Sequence, residues 1–374
     1  MEEEGRSQNL TIKESLSYLK RMKETFQDDR KKKFYCLNLL DEETDCLVWM
    51  ILVLVKRVFP GDAGMVSCFH EVCSIGVAMK LRVQLEPFLG IGDKCSNKGM
   101  RKFTKYLSDN SGSKGYCIEI GNGGWDSWFM TLEAQSQIVC NKVVKKMKDL
   151  KEGFNFVGLS QGNLIGRAVV EFCDGAPPVQ NFISLGGPHA GISSVPLCGS
   201  GIWCLLADDL LKLAIYSDVV QNSLAPSGFI KLPNDIPDYL EHCKFLPKLN
   251  NERPDARNST YKERFSSLKN LVLIMFEDDT VLVPKETSWF GYYPDGEFEP
   301  ILPPQQTKLY IEDWIGLRSL DEGGRVKFIK VAGGHLGISY NDAKKYIVPY
   351  LEEEHQPSQF DLQIKTNNVS LSLA

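Results

Sequence analysis

The sequence has no Cys-x-x-Cys pair among its 11 cysteines, which argues against zinc ribbons and thioredoxin-type redox sites. Their spread spacings suit disulfide bridges in an oxidising compartment instead. There is no broad basic stripe: 43 Lys and Arg stand against 48 Asp and Glu, a formal net charge of -5. That balance argues against nucleic-acid binding through bulk electrostatics. The basic run from Arg30 to Lys33 sits in a charged leader and reads as solvated. No apolar run reaches the roughly 20 residues that span a bilayer. Residues 47–55 (LVWMILVLV) follow a long charged leader and precede Lys56 and Arg57, the reverse of a secretory signal. Neither a transmembrane span nor an orthodox targeting segment is therefore expected. Cys68, His70 and Cys73 lie close together, but no second ligand pair follows them, so no metal is expected there. No internal repeat is visible.

What is present is ordinary globular composition, 43% hydrophobic, 24% charged and 10% aromatic. This excludes a wholly disordered, collagenous or coiled-coil chain. The 374 residues allow one large or two medium domains with a substantial core. Residues 1–84 read as an atypical N-terminal extension that the mature protein need not contain. From residue 85 short apolar strands alternate with helical stretches, the pattern of an α/β protein with a largely parallel sheet. Strands are predicted at 116–120, 154–159, 181–185, 271–276 and 326–331. Helices are predicted at 130–150, 163–173 and 341–353. Between about 195 and 263 the strand rhythm stops. Amphipathic helical pieces and a Pro- and Asn-rich passage there predict a helical cap inserted between strands. The regular domain spans 85–355, and a polar tail over 356–374 follows.

The sharpest local signal is Gly158-Leu159-Ser160-Gln161-Gly162. An apolar strand runs into it and a helix runs out, the setting of a nucleophile elbow. The two glycines let the backbone turn tightly, and the serine hydroxyl is held at the head of a helix, whose positive end favours developing negative charge. Serine at its ordinary acidity needs a base, and the chain has five histidines. This architecture supplies its triad in the order serine, acid, histidine, which removes His70, ahead of the serine. His355 falls in the tail, His242 in the cap, and no acid-bearing strand separates His189 from the serine. His335 follows a strand through Gly333-Gly334 and is the best candidate. The acid falls in Glu277-Asp278-Asp279 after the preceding strand, and spacing does not choose among the three. An oxyanion hole needs two preorganised N–H groups. Gln161, just after the serine, supplies one by position. The other comes from Gly90-Ile91-Gly92-Asp93. As a dinucleotide loop that segment fails, because the third glycine would fall on Cys95. No cofactor is expected.

These residues resemble the palmitoyl-protein thioesterases, α/β hydrolases of the lysosome or its equivalents. The likeness runs from Pro87 to Leu351. It rests on Gly90-Ile91-Gly92-Asp93, Gly121, the elbow, Ser184-Leu185-Gly186-Gly187 with His189 and Gly191, Asp279, Ser288-Trp289-Phe290-Gly291 and His335. Leu309-Tyr310 and Asp313 to Leu317 add to it. The resemblance implies an α/β-hydrolase fold, a mostly parallel sheet with helices on both faces and an inserted helical cap. It also implies Ser160 as nucleophile, Asp279 as acid, His335 as base, and oxyanion donation from the Ile91 and Gln161 amides. Cys140 with Cys173 and Cys198 with Cys204 match positions that are disulfide-bonded in relatives, and Cys95 with Cys117 is a further candidate pair. Asn258-Ser259-Thr260 is an N-glycosylation acceptor. A lysosomal, vacuolar or secretory lumen is the implied location. Two features depart from the family. Leu89 stands where a histidine is usual, after a shortened strand, and the amino terminus is unrelated to a signal peptide.

The function expected is removal of long-chain fatty acyl groups such as palmitoyl from cysteine thioesters of proteins or peptides, through an acyl-enzyme. Apolar cap residues, among them Ile202, Trp203, Leu205, Leu210, Ile215 and Val219, offer surface for the chain at about 0.8 kcal/mol per buried methylene. The expected partners are S-acylated proteins or peptides and long-chain acyl thioesters, with no nucleic acid. The oligomeric state is open. The alternatives are a carboxylester lipase and a catalytically impaired binding protein of the same fold.

Overall fold

Continuous apolar runs such as NLVLIMF and VQNFISL have no polar face to offer solvent, and a strand of that kind belongs between two layers of helices. A computed structural model describes residues 94–121, 123–194 and 214–352. It builds these runs into a parallel sheet of β1 (Phe154–Leu159), β2 (Val179–Leu185), β3 (Asn270–Phe276) and β4 (Val326–Val331), in that spatial order. From Leu271 onward β3 is buried along its whole length, whereas β1 mixes buried with half-buried positions and β4 also exposes Lys330. The register pairs Leu159 with Leu185, Leu185 with Ile274 and Phe276 with Val331. All four carboxyl ends therefore open onto one edge, where ligands of parallel α/β sheets are held.

Helices cover both faces. On one, α1 (Lys98–Ser111) packs Phe103 and Leu107 against Leu159, Ile183, Val272 and Ile274. After a short α2 (Gly124–Phe129) comes α3 (Leu132–Lys146), capped by the Thr131 hydroxyl on the Ala134 N–H. It packs with α4 (Gly162–Phe172) on the other face. A disulfide between Cys140 of α3 and Cys173 at the end of α4 fastens the two, and a second joins Cys95 to Cys117. Cys198 and Cys204 lie outside the described residues.

Between β2 and β3 the chain leaves the sheet. Its Pro-rich passage is more helical than its composition suggests. After α5 (Asp218–Gln221), α6 (Ile236–His242) and α7 (Leu246–Leu249) each carry proline in the first turn, where the missing N–H costs no helical bond. Next, α8 (Ser259–Ser266) starts on Asn258, whose side chain accepts the Thr260 N–H. Beyond β3 come α9 (Lys308–Ile311), α10 (Leu317–Glu322), β4 and α11 (Tyr340–Tyr346). The last helix is shorter than its apolar spacing predicts. Pro349 cannot donate into a continuing helix, and residues Val348–Tyr350 form a 3₁₀ turn instead. No helix among the described residues is long and apolar enough to cross a membrane.

One predicted strand is not seen among the described residues. Residues 116–120 join no ladder in the described structure. The outer edge of β1 faces a cavity of about 730 Å³, lined on one side by Tyr116, Ile118 and Ile120 and on the other by Phe154, Phe156 and Gly158. Among the described residues no backbone pairs with this segment, and its recorded ties are of other kinds. Its Cys117 is bridged to Cys95, Glu119 accepts the Cys95 N–H through its side chain, and the Glu119 carbonyl accepts a bond from Lys142. The short strand expected just before Gly90 lies outside the described residues.

Candidate active site

β1 ends at Leu159 and α4 begins at Gly162, leaving Ser160 and Gln161 to make the turn. Ser160 adopts φ +48°, a left-handed conformation unusual for a residue with a side chain and typical of functional sites. The turn is held by Ser160 N–H donating to the Leu185 carbonyl at 2.9 Å. Gly158 leaves no room for a side chain, because a Cβ there would lie 2.4 Å from Asn163 Oδ1 and 2.7 Å from Phe156 Cε1. The strand–turn–helix setting thus presents the Ser160 hydroxyl at the sheet's carboxyl edge.

His335 comes to the same edge from the loop after β4, and its Nε2 lies 3.0 Å from Ser160 Oγ. Its Nδ1 lies 2.7 Å from Asp279 Oδ2. The Asp279 side chain is fully enclosed, and its second oxygen accepts the N–H groups of Val281 at 2.9 Å and Leu282 at 3.0 Å. Both of its oxygens are therefore committed as acceptors, so the Nδ1 proton faces Asp279 and Nε2 is left to accept from Ser160. Gly186, at φ +54°, is needed beside the ring: a Cβ there would approach His335 Cε1 to 3.1 Å.

Of the three neighbouring acids, Asp279 alone meets His335. Glu277 pairs with Lys330 at 3.0 Å, and Asp278 is exposed. Among the other histidines, His189 is fully buried, hydrogen-bonded to Ser184 Oγ at 2.8 Å and stacked on Phe290 at 4.6 Å between ring centroids. Burial drives its pKa well below the ordinary range, so it packs as a neutral ring. His242 is half exposed on α6, and His70 and His355 lie outside the described residues. Gln161 is the N-cap of α4, so its N–H has no partner in a preceding turn of that helix. Its side chain donates to the Ser127 carbonyl at 2.9 Å and fixes the turn around α2. The second expected oxyanion residue, Ile91, lies outside the described residues, as do Ile202 to Leu211 of the apolar insertion. Of the remaining two residues expected to meet an acyl chain, Ile215 is buried in the core and Val219 is exposed. Asn258 is half buried at the start of α8. No group of three His, Cys, Asp or Glu side chains among the described residues is placed to hold a metal ion.

Two features beneath the elbow were not singled out by the motif. Asn163, one turn after the nucleophile position, is fully buried and bonds back to the turn. A polar side chain at the start of a helix favours such local backbone bonds, which is the signal that could have marked it. Arg167 is also fully buried. It pairs with Glu171 at 3.0 Å, donates to Asn250 Oδ1 at 2.9 Å and lies between the rings of Phe265 and Phe290. Burial pushes the Glu171 carboxyl up to about 7, with Arg167 pulling in the opposite direction. Asn250 in turn donates to Glu252, which holds Lys231 and Tyr239, each at 2.8 Å. The elbow helix is so tied to the insertion by a connected polar network, for which helical periodicity has no term.

The model of a protein family described as palmitoyl protein thioesterase matches residues 88–335. Palmitoyl-protein thioesterase 1 of Caenorhabditis elegans is 42% identical over 256 residues, 67% of this chain and 85% of that protein. Palmitoyl-protein thioesterase 3 of Dictyostelium discoideum is 37% identical over 240 residues, covering 63% of this chain and 81% of its own. Lysosomal thioesterase PPT2-B of Xenopus laevis is 32% identical over 182 residues, 49% of this chain and 62% of the relative.

Proposed function

Because the chain belongs to the palmitoyl protein thioesterase family, we propose that it hydrolyses long-chain acyl thioesters, such as palmitoyl-cysteine in proteins and peptides, with Ser160 as nucleophile, His335 as base and Asp279 as the acid that orients the base. The observation that carries this reading is the unbroken hydrogen-bonded chain from Asp279 through His335 to Ser160 at the head of an elbow.

In the first half-reaction Ser160 Oγ bonds to the thioester carbon while His335 Nε2 takes its proton. The carbonyl π pair moves onto oxygen, and that oxyanion is held by the Gln161 N–H and, by family resemblance, the Ile91 N–H. Collapse re-forms the carbonyl and breaks the carbon–sulfur bond, whose electron pair leaves on sulfur. A thiolate is a far more stable anion than an amide or alkoxide, so the proton that His335 returns is needed late. Water then attacks the acyl-serine with His335 again as base. Collapse of this second intermediate breaks the acyl–Oγ bond, releases the fatty acid and returns the proton to Ser160. Asp279 stays ionised throughout and stabilises the imidazolium.

The insertion is the surface we assign to the acyl chain, and the lumen of a lysosome or equivalent acidic compartment is the assigned location. Lysosomal thioesterases among the relatives and the two disulfides support that location. Asn258 is the assigned glycan acceptor: the Asn side chain and Thr260 form the local turn at the start of α8. Purified protein is expected to release palmitate from a palmitoyl-cysteine peptide faster than from the matching oxygen ester. The Ser160→Ala variant should lose that activity and its labelling by a fluorophosphonate. Full activity in Ser160→Ala, or a strong preference for the oxygen ester, would overturn the reading.

A further inference from the structure

One buried polar side chain beside Ser160 has no part in the chemistry above. Asn163 donates through Nδ2 to the Ser160 carbonyl and to the Leu185 carbonyl, each at 3.1 Å. Its backbone N–H donates to the same Ser160 carbonyl at 3.0 Å, and the Leu185 carbonyl also accepts the Ser160 N–H at 2.9 Å. Two carbonyl acceptors demand a donor, so the nitrogen of the amide must face them. The price of that orientation is visible: Asn163 Oδ1 is buried without a partner, against Gly158. An apolar side chain would leave no such bare oxygen. What the asparagine supplies is the pair of donated bonds.

Those bonds act on one particular peptide plane. The Ser160 carbonyl and the Gln161 N–H belong to the same trans peptide unit, in which C=O and N–H point in opposite directions. Fixing the carbonyl from below with two donors fixes the N–H above. Rotation of that plane would carry the N–H away from the forming oxyanion, and it would have to break both Asn163 bonds at once. We propose that Asn163 is a positioning residue that aims the Gln161 N–H at the oxyanion. The proposal rests on the reading of Ser160 as nucleophile and deepens it.

The test uses the full chain with Asn163→Asp and Asn163→Ala beside wild type and Ser160→Ala, measuring kcat, KM and thermal melting on a palmitoyl-cysteine peptide. Losing an oxyanion donor costs about 10²–10³-fold in turnover, and a misaimed one is expected to approach that loss in kcat with KM within about twofold and folding retained. The carboxylate that Asn163→Asp introduces can donate nothing to two carbonyls while ionised, whereas its protonated form has one O–H to give. Turnover of Asn163→Asp should therefore recover, relative to wild type, as pH is lowered, while Asn163→Ala shows no such recovery. Wild-type kcat in a folded variant, a loss confined to KM, absence of the acid recovery, or failure of both variants to fold would each overturn the proposal. Activity surviving in Ser160→Ala would instead bring down the nucleophile reading itself, so the two failures are separable.

Discussion

Replacing Asp279 with asparagine keeps the shape of the side chain and changes which atoms can donate. Oδ1 accepts the N–H groups of Val281 and Leu282, while Oδ2 faces His335 Nδ1 at 2.7 Å. An asparagine has one oxygen and must choose. If its oxygen stays with the two backbone donors, its NH₂ faces Nδ1 and forces the imidazole proton onto Nε2. If it turns over, the buried Leu282 N–H loses its acceptor, at about 1–3 kcal/mol, and the half-buried Val281 N–H loses its own as well. The first arrangement is favoured by roughly one such bond or more, so the wrong tautomer prevails and Nε2 donates toward Ser160 instead of accepting its proton. In serine proteases with a Ser-His-Asp triad the corresponding change lowers kcat by about 10⁴ with the geometry intact, equivalent to about 5.5 kcal/mol of barrier. The same order of loss is expected here on a palmitoyl-cysteine peptide, with KM little changed and thermal melting within a few degrees of wild type. Steady-state kinetics of Asp279→Asn, with His335→Ala alongside, is the assay. A loss below about tenfold would refute the reasoning, because it would mean that the Asp279 carboxylate does not set the tautomer of His335.

Three further outcomes are expected. The bridge between Cys140 and Cys173 closes a loop with a sequence separation of 33, so Cys140→Ser with Cys173→Ser should lower unfolding free energy by about 3–4 kcal/mol in the chain-entropy account, read from denaturant unfolding; an unchanged midpoint would refute it. Gly158→Ala places a methyl against Asn163 and Phe156 and should cost about 1–3 kcal/mol while slowing fluorophosphonate labelling of Ser160; unchanged stability and labelling would show that the elbow has slack. Burial raises Glu171 from its ordinary value near 4.5 to about 7, so between those values the folded state holds a proton that the unfolded chain has lost, and this group's contribution to stability falls as pH rises through that window. Buried neutral His189 gives the opposite slope below about pH 6.5, so the informative quantity is the melting difference between wild type and Glu171→Gln from pH 4.5 to 7.5, which should drift against wild type as pH rises; a flat difference would refute it.

The strands, the elbow and the serine were legible because each is written within a few consecutive residues. Phe154–Leu159 followed by Gly158-to-Gly162 spacing needs no knowledge of distant chain. The choice of Asp279 from three adjacent acids was not legible from spacing, because it depends on which side chain the Val281 and Leu282 amides turn inward. Family resemblance, not spacing, is what points to Asp279. The strand expected at 116–120 joins no ladder among the described residues: alternation in YCIEI describes a side-chain pattern, whereas a ladder requires a neighbouring backbone, and the short strand expected before Gly90 lies outside the described residues. Arg167 escaped notice because a basic residue on an apolar helix face ordinarily reads as solvent-facing, and only Glu171, Asn250 and two phenylalanine rings from elsewhere in the chain make its burial tolerable.

Strand register bears directly on the chemistry. Ser160 follows β1, Asp279 follows β3 and His335 follows β4, so their separations are set by pairing across the sheet rather than by any local turn. A slip of one residue moves a strand end by about 3.3 Å and turns every side chain to the opposite face. The hydrogen bonds at 2.7 and 3.0 Å that join the three residues have no tolerance for such a shift. What prevents it is burial: Val272, Leu273, Ile274 and Phe276 of β3 are all fully enclosed, and a slipped β3 would bring residues chosen for one helical layer against the other. The apolar run LVLIMF is thus as much a determinant of the distance between Ser160 and His335 as the glycines of the elbow. Large-to-small changes within it, such as Ile274→Ala, should therefore reduce turnover on a palmitoyl-cysteine peptide beyond what their effect on folding explains. Turnover that falls only in proportion to the lost folded fraction would show that the register survives the cavity.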